Sequence, residues 1–169
     1  MQFPSWSQAA EAKILLPERL SDCVKGVREK GKTIATLNGS FDLLHAGHLY
    51  IIHQAAQTAE ILIVALNSDR SIQQYKSISR PIIPLKYRLE MMAALEFVDY
   101  VTWFEETDPR NLLEVIKPDV HVNGDSYGFD CIEAATVQKN GGRIHLVDLI
   151  PGLSTTAIVK KIRSLDDAF

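Results

Sequence analysis

The sequence predicts an α/β fold in which a single doubly wound parallel sheet carries helices on both faces. Short apolar runs rich in β-branched residues alternate with longer segments whose apolar residues recur at helical spacing. Residues 61–66 (Ile-Leu-Ile-Val-Ala-Leu) are apolar throughout, as in a strand buried on both faces. The length of 169 residues, 46% of them hydrophobic, suits one domain. We therefore expect one domain over residues 1–169, with residues 1–12 as a loosely ordered N-terminal extension.

The N-terminal half of the chain is predicted to alternate helices and strands. Leu20, Val24 and Val27 share one face of a first helix, and Gly31 suits the cap that ends it. Similar spacings predict the next two helices, and apolar runs predict the strands. In chain order these elements are a helix at 17–30, a strand at 33–37, a helix at 45–58, a strand at 60–66, a helix at 85–97 and a strand at 98–104.

The C-terminal half repeats the alternation. Pro109 suits the first position of a helix, and Asn140-Gly141-Gly142 suits the end of another. The predicted elements are a helix at 109–116, a strand at 119–122, a helix at 130–139, a strand at 143–147 and a helix at 154–164. Strands that alternate with helices run parallel, and ligands of such sheets bind at the carboxyl ends of the strands.

Residues 26–33 match the phosphate-loop pattern G-x-x-x-x-G-K-[ST]. That loop needs a strand before it and a helix after it, so that backbone N–H groups surround the phosphates. The predicted order here is the reverse, a helix followed by a strand. We therefore reject a phosphate-loop nucleotidase, and without G-x-G-x-x-G the chain also lacks the fingerprint of a nicotinamide dinucleotide site.

The most informative segment is residues 38–48, Asn-Gly-Ser-Phe-Asp-Leu-Leu-His-Ala-Gly-His, between the first predicted strand and the second helix. His45 and His48 share one face at the start of that helix. A helix N-terminus favours phosphate, because its first N–H groups are unpaired and its dipole is positive there. Gly47 allows an anion to come close to the backbone. The segment predicts chemistry on a phosphate.

Four further polar clusters belong to the same predicted edge of the sheet or lie near it. Two follow strands, at residues 67–69 (Asn-Ser-Asp) and 123–125 (Asn-Gly-Asp). A third contains the cations Lys76, Arg80 and Arg88, which suit a triphosphate, although a solvated surface loop explains them equally simply. The fourth is Ser-Thr-Thr at 154–156, which either caps the last helix or holds a terminal phosphate.

Residues 38–48 resemble the HxGH signature of the nucleotidyltransferase superfamily, in its cytidylyltransferase-like branch. Val-Ala-Leu-Asn-Ser-Asp at 64–69, Ser-Arg-Pro-Ile-Ile-Pro-Leu-Lys-Tyr-Arg at 79–88 and Gly-Leu-Ser-Thr-Thr at 152–156 follow in family order. The resemblance implies a Rossmann-like nucleotidyltransferase domain that transfers a nucleotidyl group from a nucleoside triphosphate to a sugar phosphate and releases pyrophosphate. Cytidylyltransferases usually carry Arg-Thr-x-Gly where this chain has Leu-Ile-Pro-Gly at 149–152. The resemblance therefore favours ATP and heptose 1-phosphate, with ADP-heptose for lipopolysaccharide core biosynthesis as the product. Ser77, Val122 and Asn123 depart from the residues usual in enzymes that make ADP-heptose.

The resemblance also implies roles for individual residues. The expected catalytic residues are His45, His48 and Lys76. The expected nucleotide-binding residues are Asn38, Gly39, Ser40, Phe41, Asp42, Gly47, Arg88, Gly124, Asp125, Ser154, Thr155 and Thr156. The expected substrate-binding residues are Asn67, Asp69, Arg80 and Asn123. Asp42 orients either a histidine or the metal ion, and Mg²⁺ on the triphosphate is the implied cofactor, with no protein ligand assigned.

Other functions and partners remain open at this point. One alternative is a glycerol-3-phosphate cytidylyltransferase that makes CDP-glycerol from CTP, and another is a non-catalytic nucleotide sensor. The net charge of −3 argues against a nucleic-acid partner, and the longest apolar run is too short to span a membrane. Two distant cysteines and the absence of a secretory signal predict a cytoplasmic protein. The resemblance makes a homodimer possible.

Overall fold

The computed structural model describes residues 5–166, which contain one five-stranded parallel sheet. The strands are β1 (Ile34–Gly39), β2 (Ile61–Asn67), β3 (Tyr100–Phe104), β4 (Val120–Gly124) and β5 (Arg143–Val147). Their order in the sheet is β3-β2-β1-β4-β5, and every neighbouring pair is parallel. The predicted doubly wound sheet is confirmed, and the chain reverses its direction of progress across the sheet between β1 and β4.

Eight α-helices lie within the described residues. They are α1 (Trp6–Glu11), α2 (Leu20–Glu29), α3 (Ala46–Ala56), α4 (Asp69–Tyr75), α5 (Leu85–Ala93), α6 (Arg110–Ile116), α7 (Ala134–Lys139) and α8 (Thr155–Asp166), with short 3₁₀ helices at Pro17–Arg19 and Asp125–Tyr127. Among residues 5–166, no helix is both long and apolar enough to cross a membrane.

The helices cover the sheet in two layers. On one face, Ile52 of α3 and Leu89 of α5 belong to the same buried cluster as Val64 and Val122 of the sheet. On the other face, α2 and α6 pack against the sheet through a second cluster, and α7 joins α6 in a third. Each layer buries one apolar stripe of its helices, so the core is divided by the sheet.

The N-terminal segment differs from the expectation. Residues 1–12 were predicted to be a loosely ordered extension, whereas α1 occupies residues 6–11, and residues 1–4 lie outside the described part of the chain. Ser5 and Gln8 form a reciprocal capping box at the start of α1. Ala10 is 5% exposed within the core, and Trp6 Nε1 donates to Glu90 Oε2 at 3.1 Å. These contacts hold α1 against α5.

The other predicted elements are present, with boundaries shifted by a few residues. The structure also contains α4, a helix that was not predicted, because the polar residues 67–69 were interpreted as a loop. In the structure Ser68 caps α4 by accepting a hydrogen bond from the Ser71 backbone N–H. Gly31 has a φ of +71° just after α2, and β1 follows it, so the phosphate-loop pattern occupies a helix end as expected.

Candidate functional site

A cavity of about 510 Å³ lies at the carboxyl ends of β1, β2 and β4, beside the reversal of strand order. Its position is the one predicted for a ligand site in a sheet of this kind. Most of the candidate residues line it, namely Asn38, Gly39, Ser40, Phe41, His45, Gly47, His48, Asn67, Lys76, Asn123, Gly124, Ser154 and Thr155. The candidates that do not line it are Asp42, Asp69, Arg80, Arg88, Asp125 and Thr156.

His45 is fixed by the helix that it caps. It stands at the N-cap of α3 in an extended conformation, and its Nδ1 accepts a hydrogen bond from the His48 backbone N–H at 3.3 Å. Because Nδ1 is an acceptor, the neutral ring carries its proton on Nε2. Burial lowers the pKa of His45 below its usual value. His45 therefore offers a neutral N–H donor at the cavity wall.

His48 stacks on His45, with ring centroids 3.8 Å apart and planes 20° apart. The Phe41 ring packs edge-on against the His48 ring, with the ring centroids 5.2 Å apart. Burial lowers the pKa of His48 to about 4, and repulsion between the two rings when both are protonated contributes to the shift. Both imidazoles are therefore uncharged at neutral pH, and the pair can stabilise a phosphoryl group as hydrogen-bond donors.

Gly47 makes the close packing of this corner possible. A Cβ atom at Gly47 would lie 3.1 Å from the His45 ring and 3.2 Å from Leu153 Cβ. The small residue thus admits two protein neighbours, in addition to the ligand approach that the sequence predicted. The lack of a side chain at Gly47 lets the start of α3 contact the segment that precedes α8.

Lys76 extends the cavity wall from the end of α4. Its Nζ donates to Ser40 Oγ at 3.0 Å. Burial lowers the pKa of Lys76, and the charges of Arg80 and Arg88 lower it further, whereas Asp42 opposes the shift. The ammonium group lacks a carboxylate within salt-bridge distance among the described residues, so it remains available to an anion.

Arg88 was expected to bind phosphate, and in the structure its guanidinium is directed at protein acceptors. Its side chain is 1% exposed. Nε donates to the Ile83 carbonyl at 2.9 Å, and Nη1 donates to the carbonyls of Ser40 and Asn67 at 2.6 and 2.9 Å. Nη2 donates to Asp69 Oδ1 at 2.7 Å. Arg88 thus joins the ends of β1 and β2 to α5, and four of its five N–H donors are occupied by the protein.

Asp42, Asp69 and Arg80 also serve the framework. The Asp42 carboxylate is 2% exposed and accepts hydrogen bonds from Arg80 Nη1 and from the backbone N–H groups of Ile82 and Ile83, at 2.7–2.9 Å. In the structure Asp42 fixes the segment between α4 and α5. The expected role of Asp42 towards a histidine or the metal ion stays a prediction. Asp69 accepts from the Leu85 N–H as well as from Arg88. The substrate contacts expected of Asp69 and Arg80 stay predictions, and in the structure both side chains pair within the protein.

The polar residues after β4 and before α8 divide between the cavity and the surface. Ser154 accepts a hydrogen bond from the Ala157 N–H at 3.1 Å, so it caps α8, and it lines the cavity together with Thr155. Thr156 is exposed outside the cavity. Asp125 is exposed and accepts from the Ser126 N–H, which is a local turn contact and no ligand contact. Asp125 and Thr156 therefore lie outside the cavity lining, and their expected contacts with a nucleotide stay predictions.

Several cavity residues were missed by the sequence analysis. Thr107, Asp108 and Pro109 follow β3, so the carboxyl-end rule that selected the other loops applied to them too. Glu133 lay inside a predicted helix and gave no signal. The remaining ones are mostly apolar and exposed, and nothing in the sequence distinguished them from ordinary surface residues: Tyr75, Tyr127, Ile132, Leu149, Ile150 and Leu153.

The cavity has two chemically different walls. The wall on the α3 side carries the histidine pair, Lys76 and the hydroxyls that begin α8. The wall on the α6 and α7 side carries the carboxylates Asp108 and Glu133. Anionic phosphates are attracted to the first wall and repelled by the second. The arrangement can therefore hold a phosphate chain along one side of the cavity.

Comparison with known proteins is consistent with this site. The model of the cytidylyltransferase-like family matches residues 36–162. The bifunctional protein HldE of Hahella chejuensis is 40% identical over 157 residues, which make up 92% of this chain and 33% of that protein. The HldE of Pseudomonas aeruginosa is likewise 40% identical over 157 residues, with the same coverage. This chain spans about a third of the length of these curated relatives.

Two solved structures share the fold. The lipopolysaccharide core biosynthesis protein of Thermoplasma volcanium has a TM-score of 0.58 and 25% identity, and the match covers 71% of this chain and 98% of that one. The pantoate-beta-alanine ligase of Francisella tularensis also has a TM-score of 0.58, with 15% identity, over 90% of this chain and 78% of that one. The second likeness concerns the fold alone.

Proposed function

Because this chain belongs to the cytidylyltransferase-like family, we propose that it transfers the adenylyl group of ATP to a heptose 1-phosphate and releases pyrophosphate. The observation that carries nucleotidyl transfer is the stacked, uncharged histidine pair at the start of α3, in the wall of a cavity large enough for a nucleotide. The choice of ATP and heptose is supported by the similarity to HldE proteins and by the missing arginine before Ser154. The product, ADP-heptose, would serve lipopolysaccharide core biosynthesis.

In this proposal a phosphate oxygen of the acceptor attacks the α-phosphorus of ATP, and the bond to the pyrophosphate oxygen breaks. Catalysis then consists of aligning the two anions and stabilising the charge that develops on the α-phosphoryl oxygens. His45 donates from Nε2 to one of these oxygens, and His48 donates to the same group. Two neutral donors perform this task without a proton transfer.

The β- and γ-phosphates lie along the rest of the same wall. Lys76 supplies a positive charge near Ser40, and the start of α8 supplies the hydroxyl of Thr155 and free N–H groups. Arg88 and Asp42 hold the backbone that presents these groups, and in this proposal they act without contacting the phosphates. This division explains why so many charged residues surround the cavity while few of them face it.

The ligands of a divalent ion at this site are expected to be phosphate oxygens and not protein side chains. Among residues 5–166, no three His, Cys, Asp or Glu side chains are grouped to hold a metal ion. The donors on the phosphate wall are imidazoles, an ammonium group and hydroxyls, so Mg²⁺ is expected to arrive with the triphosphate and to keep mainly phosphate and water ligands. When bound, it neutralises part of the phosphate charge.

We also infer a homodimer in the cytoplasm from the family resemblance. Light scattering of the purified protein measures the mass of the particle and so tests the dimer.

The test is pyrophosphate release by the purified protein with Mg²⁺, in which ATP and CTP are each paired with heptose 1-phosphate and with glycerol 3-phosphate. The proposal expects release with ATP and heptose 1-phosphate above every other pair. The His48→Ala variant is the control for contaminating activity. Release only with CTP and glycerol 3-phosphate would identify a cytidylyltransferase, and nucleotide binding without release in any pair would favour a sensor.

A further inference from the structure

Glu133 and Asn123 form a buried polar pair in the cavity wall opposite the histidines. The two residues are 4% and 5% exposed, and both line the cavity. Glu133 lies just before α7, and Asn123 lies in β4. Polar groups buried this deeply are normally hydrogen-bonded, because an unsatisfied one costs stability.

The protein satisfies only a small part of the Glu133 carboxylate. Oε2 accepts from Asn123 Nδ2 over 3.4 Å, which is a long hydrogen bond. The Cys131 thiol, whose pKa is raised by burial and by its hydrogen bond to Glu133, is a weak donor. Within the described residues the Glu133 side chain makes no cap for α7. A carboxylate has about four acceptor positions, so most of them remain for a ligand.

Asp108, the other carboxylate of this wall, differs from Glu133 in its hydrogen bonds. Arg110 donates to both of its oxygens, from Nε at 2.8 Å and from Nη2 at 3.0 Å. This two-bond pairing uses the positions that a ligand would need. Glu133 is therefore the carboxylate of the cavity with more acceptor positions open to a ligand.

The negative charge of Glu133 restricts which kind of ligand group can donate a hydrogen bond to it. A phosphate is repelled by Glu133 and is attracted to the histidine wall, so the group at Glu133 is an uncharged part of a substrate. Sugar hydroxyls are uncharged donors that come in adjacent pairs, which suits a carboxylate with two oxygens. The amide of Asn123 supplies a donor and an acceptor at the same place.

We propose that Glu133 and Asn123 bind adjacent hydroxyl groups of a substrate sugar, with Glu133 as the acceptor and Asn123 holding its carboxylate in place. This inference rests on the proposed function, because both of its substrates carry such a sugar. The ribose of the nucleotide and the ring of the acceptor present the same chemistry. The experiment distinguishes these two sources.

The principal variant is Glu133→Gln, which keeps the size of the side chain and replaces one acceptor oxygen by an amide donor. The matched control is Glu114→Gln, which makes the same charge change on α6 at a carboxylate outside the cavity. Calorimetric titration measures the affinity of each protein for ATP, for 2′,3′-dideoxy-ATP and for heptose 1-phosphate. Loss of hydrogen bonds to a charged acceptor predicts about a 10- to 100-fold weaker affinity for the ligand concerned.

Each arm of the titration has a distinct outcome. If Glu133 binds the ribose, Glu133→Gln has a lower affinity for ATP and an unchanged affinity for dideoxy-ATP. The wild type itself then binds dideoxy-ATP poorly. If the acceptor is bound, the variant weakens heptose 1-phosphate alone. Affinities of Glu133→Gln that match those of Glu114→Gln for all three ligands would overturn the inference.

Folding and turnover are controlled separately. Circular dichroism checks each variant, and Asn123→Ser, which removes the partner of Glu133 without adding a charge, replaces Glu133→Gln if that variant does not fold. The titrations need no turnover. A wild type that binds these ligands through Glu133 but releases no pyrophosphate would refute the proposed function and keep the hydroxyl site.

Discussion

His45 uses its two ring nitrogens for two separate tasks. Nδ1 caps α3 by accepting the His48 N–H, and this contact leaves Nε2–H to face the cavity. The side chain is thus oriented by the secondary structure that it helps to form. His48 gains its place from stacking on that fixed ring.

Replacement of either histidine should remove a donor from the transition state. We predict that His45→Ala and His48→Ala each lower kcat by about 10²–10³-fold, the usual effect of losing one such donor, with the fold retained. His45→Asn is the matched control, because asparagine is a good N-cap residue and should keep the stability of α3 without restoring the rate. Normal turnover in either alanine variant would exclude the assigned role.

The second residue-scale prediction concerns protonation. Burial lowers the pKa of His48 to about 4 in the folded protein, whereas an unfolded histidine titrates at its ordinary value of 6.5. The unfolded chain therefore binds the proton first, so the stability contributed by neutral His48 is complete above pH 6.5 and is lost as the pH falls towards 4. NMR titration of the imidazole resonance, assigned with His48→Ala, should give the low value. A midpoint near 6.5 would show that the ring is charged more readily than its burial implies.

At the scale of elements, the segment between α4 and α5 depends on two buried charged residues. Asp42 binds its backbone, and Arg88 binds carbonyls from the ends of β1 and β2. The two side chains therefore place Lys76 and Ser40 beside the histidines. They act through the backbone, so their loss should affect stability first.

Arg88→Ala should lower the free energy of unfolding by about 3–5 kcal/mol, because it leaves Asp69 and three carbonyls without their partner. Lys86→Ala on the exposed side of α5 is the control and should change it by at most about 0.5 kcal/mol. Urea unfolding measures both. A stable Arg88→Ala protein with weakened ATP binding would instead support the phosphate contact that the sequence suggested.

The turn from α7 into β5 gives a second element-scale prediction. A Cβ atom at Gly142 would overlap the Pro118 carbonyl oxygen, whereas one at Gly26 in α2 would meet nothing within 4 Å. Gly142→Ala should therefore destabilise the protein by about 1–3 kcal/mol through forced backbone movement. Gly26→Ala should stabilise it by about 0.4–1 kcal/mol, because alanine favours helix. Equal unfolding midpoints for the two variants would contradict this packing.

Sequence reasoning succeeded where periodicity and turn chemistry agree, as in the five strands and the end of α2 at Gly31. It missed α4, because a serine N-cap and a polar loop have the same composition. It assigned Arg88 to phosphate, because the sequence does not reveal that carbonyls occupy its donors. It passed over Glu133, because the long-range approach of α7 to β4 that buries this residue leaves no local pattern.

At the scale of the whole molecule, the sheet separates two kinds of chemistry. The reversal of strand order between β1 and β4 opens a cavity that receives loops from both helical layers. One layer brings uncharged histidines and a lysine, and the other brings carboxylates. With a net charge of only −3, the overall charge of the molecule does little to attract a phosphate, so the proposed selectivity depends on this local division.

Adenylyl transfer requires attack at the α-phosphorus of ATP, and ³¹P NMR of the products detects where the attack occurs. The purified protein is incubated with ATP, heptose 1-phosphate and Mg²⁺. We predict pyrophosphate together with a new diphosphate resonance from the nucleoside diphosphate sugar, and neither product with His48→Ala. The appearance of ADP, which marks attack at the γ-phosphorus, would contradict the account.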